Sequence, residues 1–242
     1  MTAEPRAWEG VLAHIEAQLV DGRLRPGDHL PAERALSAEL GVARSSVREA
    51  IRVLEAMGLV RTQTGSGPSS GAIIVARPGG GMQALMRLQV AAHGFPVADV
   101  VRTRLLLETA VAADLAERAS AVSADLADAR QLLDAMDDPA LTPQEFLALD
   151  AQFHLSLAEA SGNTVVAATM SGLRSSIEGY VLAGLARIPV WEDMATRLRA
   201  EHRAVIAAIA AGDAAAARTG IHDHISGYYR DASPSEPVHE PR

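Results

Sequence analysis

The chain contains no cysteine and no lysine, and only 3% of its 242 residues are aromatic. Without cysteine there can be no disulfide and no thiolate ligand, so any metal site must be built from nitrogen and oxygen donors. So few rings leave little on which to stack unpaired bases, which argues against a binder of single-stranded nucleic acid. No apolar run reaches the roughly 18 residues of a membrane-spanning helix. The opening segment, MTAEPRAWEG, lacks the apolar centre of a signal peptide. A cytoplasmic protein with no membrane partner is expected. Arginine carries all the positive charge, and the missing lysine reads as compositional bias.

Hydrophobic residues make up 48% of the chain, enough for two modest cores at this length. The net charge of −8 is unevenly placed. Residues 1–77 hold 9 Arg and 9 acidic residues, whereas 78–242 hold 13 Arg and 21 acidic residues. The deficit therefore lies in the second part, and an acidic body would discourage nonspecific adhesion to a polyanion.

Residues 30–77 are the most informative block. The spacing predicts a short amphipathic helix over Ala32–Leu40 ended by Gly41, and a second helix over Ser45–Met57 stopped by Gly58. Two short β-like runs follow, Leu59–Gln63 and Ala72–Ala76, joined by a Gly/Ser/Pro tip. Helix, tight turn, helix and two-stranded flap is the order of a winged helix-turn-helix. Ahead of it, Trp8–Val20 reads as a helix with Val11, Leu12, Ile15 and Leu19 on one face. Arg44, Arg48 and Arg52 recur every four residues and form one cationic ridge on the second helix. Val47, Ile51, Leu54 and Leu59 form its buried side. Arginine pairs bidentately with guanine and grips phosphate, and the hydroxyls of Ser45 and Ser46 can reach phosphate too. Ser46 and Glu49 have capping-box spacing.

These residues resemble the GntR family of bacterial transcription regulators. The resemblance is carried by Leu30-Pro31-Ala32-Glu33-Arg34, Gly41-Val42-Ala43-Arg44, Val47-Arg48-Glu49-Ala50-Ile51 and Gly58-Leu59-Val60. It implies that Arg34, Arg44, Arg48 and the wing Gly65 contact double-stranded operator DNA, with Ser45 and Ser46 in support. It also implies a homodimer on a palindrome, since one such head reads a half-site. Two departures from the family pattern stand out. Ala43 replaces the serine usual before Arg44, which removes an N-cap worth about 1 kcal/mol. The wing tip, Gly65–Gly71, is longer than usual.

Arg77-Pro78-Gly79-Gly80-Gly81 reads as a linker, so residues 1–77 and 82–231 form the expected domains, with 78–81 between them and a disordered tail at 232–242. The second domain reads as an all-α antiparallel bundle of about seven helices, near 82–92, 97–119, 123–136, 143–160, 164–187, 191–211 and 213–230. The expected fold is mainly α. Three of these helices carry polar residues within their apolar stripes. Asp150 and His154 lie four apart among Phe146, Leu149, Phe153 and Leu157. His202 lies with Leu198, Val205 and Ile209, and His224 with Ile221, Ile225 and Tyr228. His222 falls on the opposite face. Three imidazoles and a carboxylate inside one bundle are costly unless something satisfies them. A divalent metal does so economically, with Zn²⁺, Ni²⁺ or Mn²⁺ suited to the donors.

Residues Asp150–Asn163, then Glu201-His202, Gly212-Asp213 and His224, resemble the FCD effector domain of FadR-type GntR regulators. The resemblance implies that Asp150, His154, His202 and His224 are metal ligands. Arg104 shares an inward face with Val101, Leu105, Glu108 and Ala112. It is expected either to pair with Glu108 at i,i+4 or, as the resemblance implies, to hold a carboxylate bound beside the metal. Asn163, after Gly162, reads as a helix cap. The expected protein is a repressor controlled by a small carboxylate effector. Two alternatives remain at this stage: a metal-responsive regulator without an organic effector, and a metalloenzyme bundle fused to a DNA-binding head.

Overall fold

The computed structural model describes residues 6–63, 71–76, 80–119 and 126–232. Gly65 and the rest of the wing tip, linker residues 77–79 and the tail from 233 lie outside the described residues. The chain divides into two compact units, Met1–Met82 and Gln83–Arg242.

In the first unit, helices α1 (Ala7–Val20), α2 (Glu33–Leu40) and α3 (Arg44–Ala56) precede strands β1 (Val60–Gln63) and β2 (Gly71–Ile74). Gly41 ends α2 at φ +65°, a left-handed position that a side chain resists, and the next helix starts three residues later. Helices α1 and α2 both pack on α3, burying Val11, Ile15 and Leu36 against Val47, Ala50, Ile51 and Leu54. The strands pair antiparallel from Val60 opposite Ile74 to Gln63 opposite Gly71. Residues 27–30 also join β2, through Leu30 N–H to Ala72 O at 2.8 Å and Ile74 N–H to Asp28 O at 2.9 Å. The capping-box spacing of Ser46 and Glu49 is not used, because α3 starts at Arg44, one residue before the expected Ser45. The N-cap is Ala43, which offers no side-chain acceptor, and Ser46 donates its own N–H to the Ala43 carbonyl.

Helix α4 (Gly80–Ala91) spans the boundary, with its residues from Gln83 on in the second unit, which also holds α5 (Val97–Ala119), α6 (Ala127–Ala135), α7 (Pro143–Ala160), α8 (Thr164–Gly184), a 3-10 turn at Leu185–Arg187, α9 (Trp191–Ala210) and α10 (Ala214–Ala232). Gly80 and Gly81, expected in the linker, instead form the first turn of α4. The central helix is α5, which packs against α7, α8, α9 and α10. Its buried face carries Val100, Arg104, Glu108, Val111, Ala112 and Leu115, a spacing that keeps two charged groups on the core side. Helix α7 begins at a Thr142–Glu145 capping box with Pro143 in its first turn. Helix α8 begins at Asn163, whose Oδ1 accepts from the N–H groups of Val165 and Val166. No helix among the described residues is long and apolar enough to cross a membrane.

Candidate functional site

Helix α3 presents its charged face outward. Arg44, Ser45, Arg48 and Arg52 are exposed and Ser46 is half-buried, while Arg34 on α2 is exposed as well. Glu33 stands between two of these arginines, its Oε2 at 3.9 Å from both Arg44 Nη2 and Arg48 Nε. Pairs this long and this exposed contribute little to stability. They leave both guanidiniums free to exchange a carboxylate for phosphate or a base edge.

Inside the second unit, Asp150 and His154 from α7, His202 from α9 and His224 from α10 converge in the core, all buried. His154 Nε2 lies 3.1 Å from His224 Nε2, and His202 Nε2 lies 3.2 Å from the same atom. Asp150 Oδ1 stands 3.1 Å from His202 Nε2, 3.6 Å from His224 Nε2 and 3.7 Å from His154 Nε2. Donors about 2.1 Å from a common ion lie roughly 3.0–3.4 Å apart; three of these separations fall in that range, and all four donor atoms lie within 4.8 Å of one another, close enough to be drawn onto one cation.

The tautomers support that reading. His154 Nδ1 lies 2.5 Å from Glu108 Oε2, and His224 Nδ1 lies 2.8 Å from Glu201 Oε2. A carboxylate can only accept, so wherever one of these rings is neutral its proton belongs on the Nδ1 that faces the carboxylate, which leaves Nε2 as the atom able to donate a lone pair. Either a proton or a cation must lie between the two Nε2 atoms. A proton serves one pair of atoms, whereas a cation serves all four donors at once. Carboxylates behind ligating imidazoles also fix ring orientation and raise donor strength. His202 Nδ1 is buried and has no hydrogen-bond partner among the described residues, and the His154 Nδ1–Glu108 approach is an ion-pair contact whose angles fall short of a hydrogen bond.

The electrostatics are strongly coupled. Burial by itself would raise the Asp150 carboxyl, but His154 and hydrogen bonds from His202 and His224 hold it well below its usual range. Burial likewise opposes the Glu108 charge, yet Arg104 and His154 keep that group ionised. Burial and the neighbouring His224 push His202 down to about 3, so its ring stays neutral and able to donate a lone pair.

Arg104 is buried and pairs with Glu108, Nε to Oε1 at 2.7 Å, while its Nη1 donates to the Tyr229 hydroxyl at 3.0 Å. It also lines a cavity of about 390 Å³ bounded mainly by α7 and α8. Arg102 is exposed, as its helical phase predicts, and so is His222. The sequence reading missed Arg174, whose Nη2 donates to Asp150 Oδ2 at 2.6 Å. A signal existed, because Arg174 interrupts the buried series Met170, Leu173, Ile177 on α8. It also overlooked Glu201 as the partner of His224.

Comparison with known proteins agrees with this two-part layout. Residues 8–68 match the sequence model for bacterial regulatory proteins of the gntR family, and residues 99–227 match that of the FCD domain. The chain is 30% identical over 220 residues to the HTH-type transcriptional regulator LutR of Bacillus subtilis, covering 87% of this chain and 97% of LutR. It is 29% identical over 234 residues to the HTH-type transcriptional repressor NanR of Citrobacter rodentium, covering 93% and 84%. The solved structure of a GntR protein from Streptococcus agalactiae superposes with a TM-score of 0.66 at 25% identity, covering 92% of this chain and 99% of that one.

Proposed function

The chain belongs to the gntR family of bacterial regulatory proteins and carries an FCD domain, and from that premise we propose how its two units work together. It is a DNA-binding transcription regulator and not an enzyme, so the metalloenzyme alternative falls away. Its DNA-contacting residues are Arg34, Arg44, Ser45, Ser46 and Arg48, with Gly65 in the wing. Asp150, His154, His202 and His224 hold a divalent ion, with Zn²⁺, Ni²⁺ and Mn²⁺ the candidates that suit three imidazoles and one carboxylate. The ion supplies a positive centre, and a small carboxylate effector binds close to it, with Arg104 adding positive charge. By binding one conformation better than another, the effector shifts the population competent for DNA.

The observation that carries this reading is the convergence of four donors, two of them backed by carboxylates, with Asp150 paired to Arg174, which lines the cavity together with Arg104. The active form is a homodimer, since one recognition helix reads one half-site of a palindrome. Its place of work is the cytoplasm, where the DNA is. Repression is the proposed direction: NanR is named a repressor, and a dimer across a promoter blocks polymerase by simple occlusion.

The DNA-binding half is tested with an Arg44→Ala/Arg48→Ala double variant. Each lost base contact should weaken operator binding by about 1–3 kcal/mol, and phosphate contacts should make log affinity fall steeply with log salt. Operator affinity equal to wild type, with the fold intact by circular dichroism, sinks the assignment. The effector half is tested by measuring bound metal in protein purified without chelator, then titrating carboxylates against the operator complex. Release by metal alone, with no organic acid present, would favour the metal-responsive alternative.

A further inference from the structure

The cavity between α7 and α8 has a chemical polarity of its own. Leu147, Ala151, Leu155, Ile177, Val181 and Leu182 give it a continuous aliphatic wall, and the amides of Gln144 and Gln152 also line it. Several of its polar lining groups are already engaged with one another or with neighbours. Gln83 donates to the Ser171 hydroxyl, and Arg87 donates to Ser175 at 3.2 Å. Arg104 spends Nε on Glu108 and Nη1 on Tyr229. Arg174 differs. Its side chain is only 12% exposed and its Nη2 is held by Asp150, but Nε and Nη1 are buried without a hydrogen-bond partner among the described residues. Buried donors left unmatched are costly, and because Arg174 lines the cavity a small rotation of its side chain would turn these donors towards a carboxylate there.

We propose that Arg174 is the residue that anchors the effector's carboxylate, and that the effector is a monocarboxylic acid with an apolar body lying along α7 and α8. This rests on the reading of the second unit as an effector domain and narrows the class of acid it takes. Three observations select that class. A three-carbon hydroxy acid would leave most of a 390 Å³ cavity unfilled, and the volume suits a larger ligand. The aliphatic walls reward carbon rather than hydroxyl groups. Glu178, exposed on the cavity's lining, opposes a second negative charge and so disfavours dicarboxylates.

Binding of lactate, butanoate, hexanoate, octanoate, succinate and adipate to the metal-loaded protein, measured by isothermal titration, tests the proposal. Affinity in the monocarboxylate series should rise with chain length, by up to about fourfold per methylene buried. Hexanoate or octanoate should outbind lactate, succinate and adipate. Arg174→Met should weaken hexanoate at least tenfold. Arg174→Lys keeps a charge for Asp150 but lacks the planar fork, so it should also weaken hexanoate while holding metal content and melting temperature near wild type. Tightest binding by lactate or a dicarboxylate overturns the choice of ligand class. Hexanoate affinity unchanged in both Arg174 variants overturns the anchor alone. If none of these acids binds wild-type protein that holds its metal, the effector reading itself falls and takes the proposal with it.

Discussion

His222 and His224 sit two positions apart on α10 and meet opposite surroundings. The His224 side chain is 4% exposed and touches Asp150, Glu201 and both other imidazoles, whereas that of His222 is 56% exposed and pairs with Asp223. Replacing His224 by Ala should therefore abolish stoichiometric metal binding and lower the melting temperature, because it strands buried partners and removes ligand-linked stability. The His222→Ala change should do neither. Metal analysis and a melting curve on the two variants check this, and equal metal in wild type and His224→Ala would remove the site. Arg104 poses a second residue-scale question, since it is both an ion-pair member and a cavity wall. Arg104→Met should weaken a bound carboxylate by about 1.5–3 kcal/mol if it contacts the effector. If its work is only to hold Glu108 and Tyr229, the same change should lower stability and leave effector affinity near wild type. Titration and melting on one sample separate these outcomes.

At the scale of elements, α7 delivers two of the four donors, so its start matters. Thr142 Oγ1 accepts from Glu145 N–H at 3.3 Å, and Glu145 Oε2 accepts from Thr142 N–H at 2.8 Å. Thr142→Ala should cost about 1 kcal/mol of stability in a denaturant titration without changing metal content, because the cap lies two turns before Asp150. A loss of metal in that variant would show that the cap also sets the helix's phase. Helix ends such as this were legible in the sequence because local chemistry writes them. Gly41, Gly58, Gly162 and Gly212 punctuate the chain where the helices stop. The inward phase of His154, His202 and His224 was legible for the same reason, since burial repeats with the helical period. What escaped depends on distant partners. The pairing of residues 27–30 with β2 leaves no periodic trace in so short a segment. Arg174 finds Asp150 across 24 residues, and Glu201 reaches from α9 to α10, contacts that helical spacing cannot state. The capping-box spacing of Ser46 and Glu49 lies inside a helix that begins at Arg44, and the cap position is Ala43, the site where the sequence shows the usual serine replaced.

For the whole molecule, the buried cluster ties folding to pH. Glu108 and Asp150 titrate in the fold well below their ordinary 4.5 and 3.8, so unfolding takes up protons as acid is added. Their contribution is complete above those ordinary values and is lost as the pH falls through the folded ones. His202 acts earlier. Its ring drops from 6.5 to about 3 in the fold, so below about pH 6.5 the unfolded chain binds a proton that the folded one refuses. His224 acts in the opposite sense: burial lowers its affinity for a proton, but Asp150 and Glu201 more than offset this. The shift at His202 is the large one, so the melting temperature of chelator-stripped protein should fall steadily as the pH drops from about 7 to about 5. A flat or rising profile over that range would mean that His224 dominates and the imidazoles share a proton rather than await a cation. Metal-loaded protein should start from a higher melting temperature, because the ion binds the folded state. Its advantage should shrink over the same range as protons compete for the three imidazoles. The two profiles, recorded side by side, show whether the core of the second unit is organised around a metal ion.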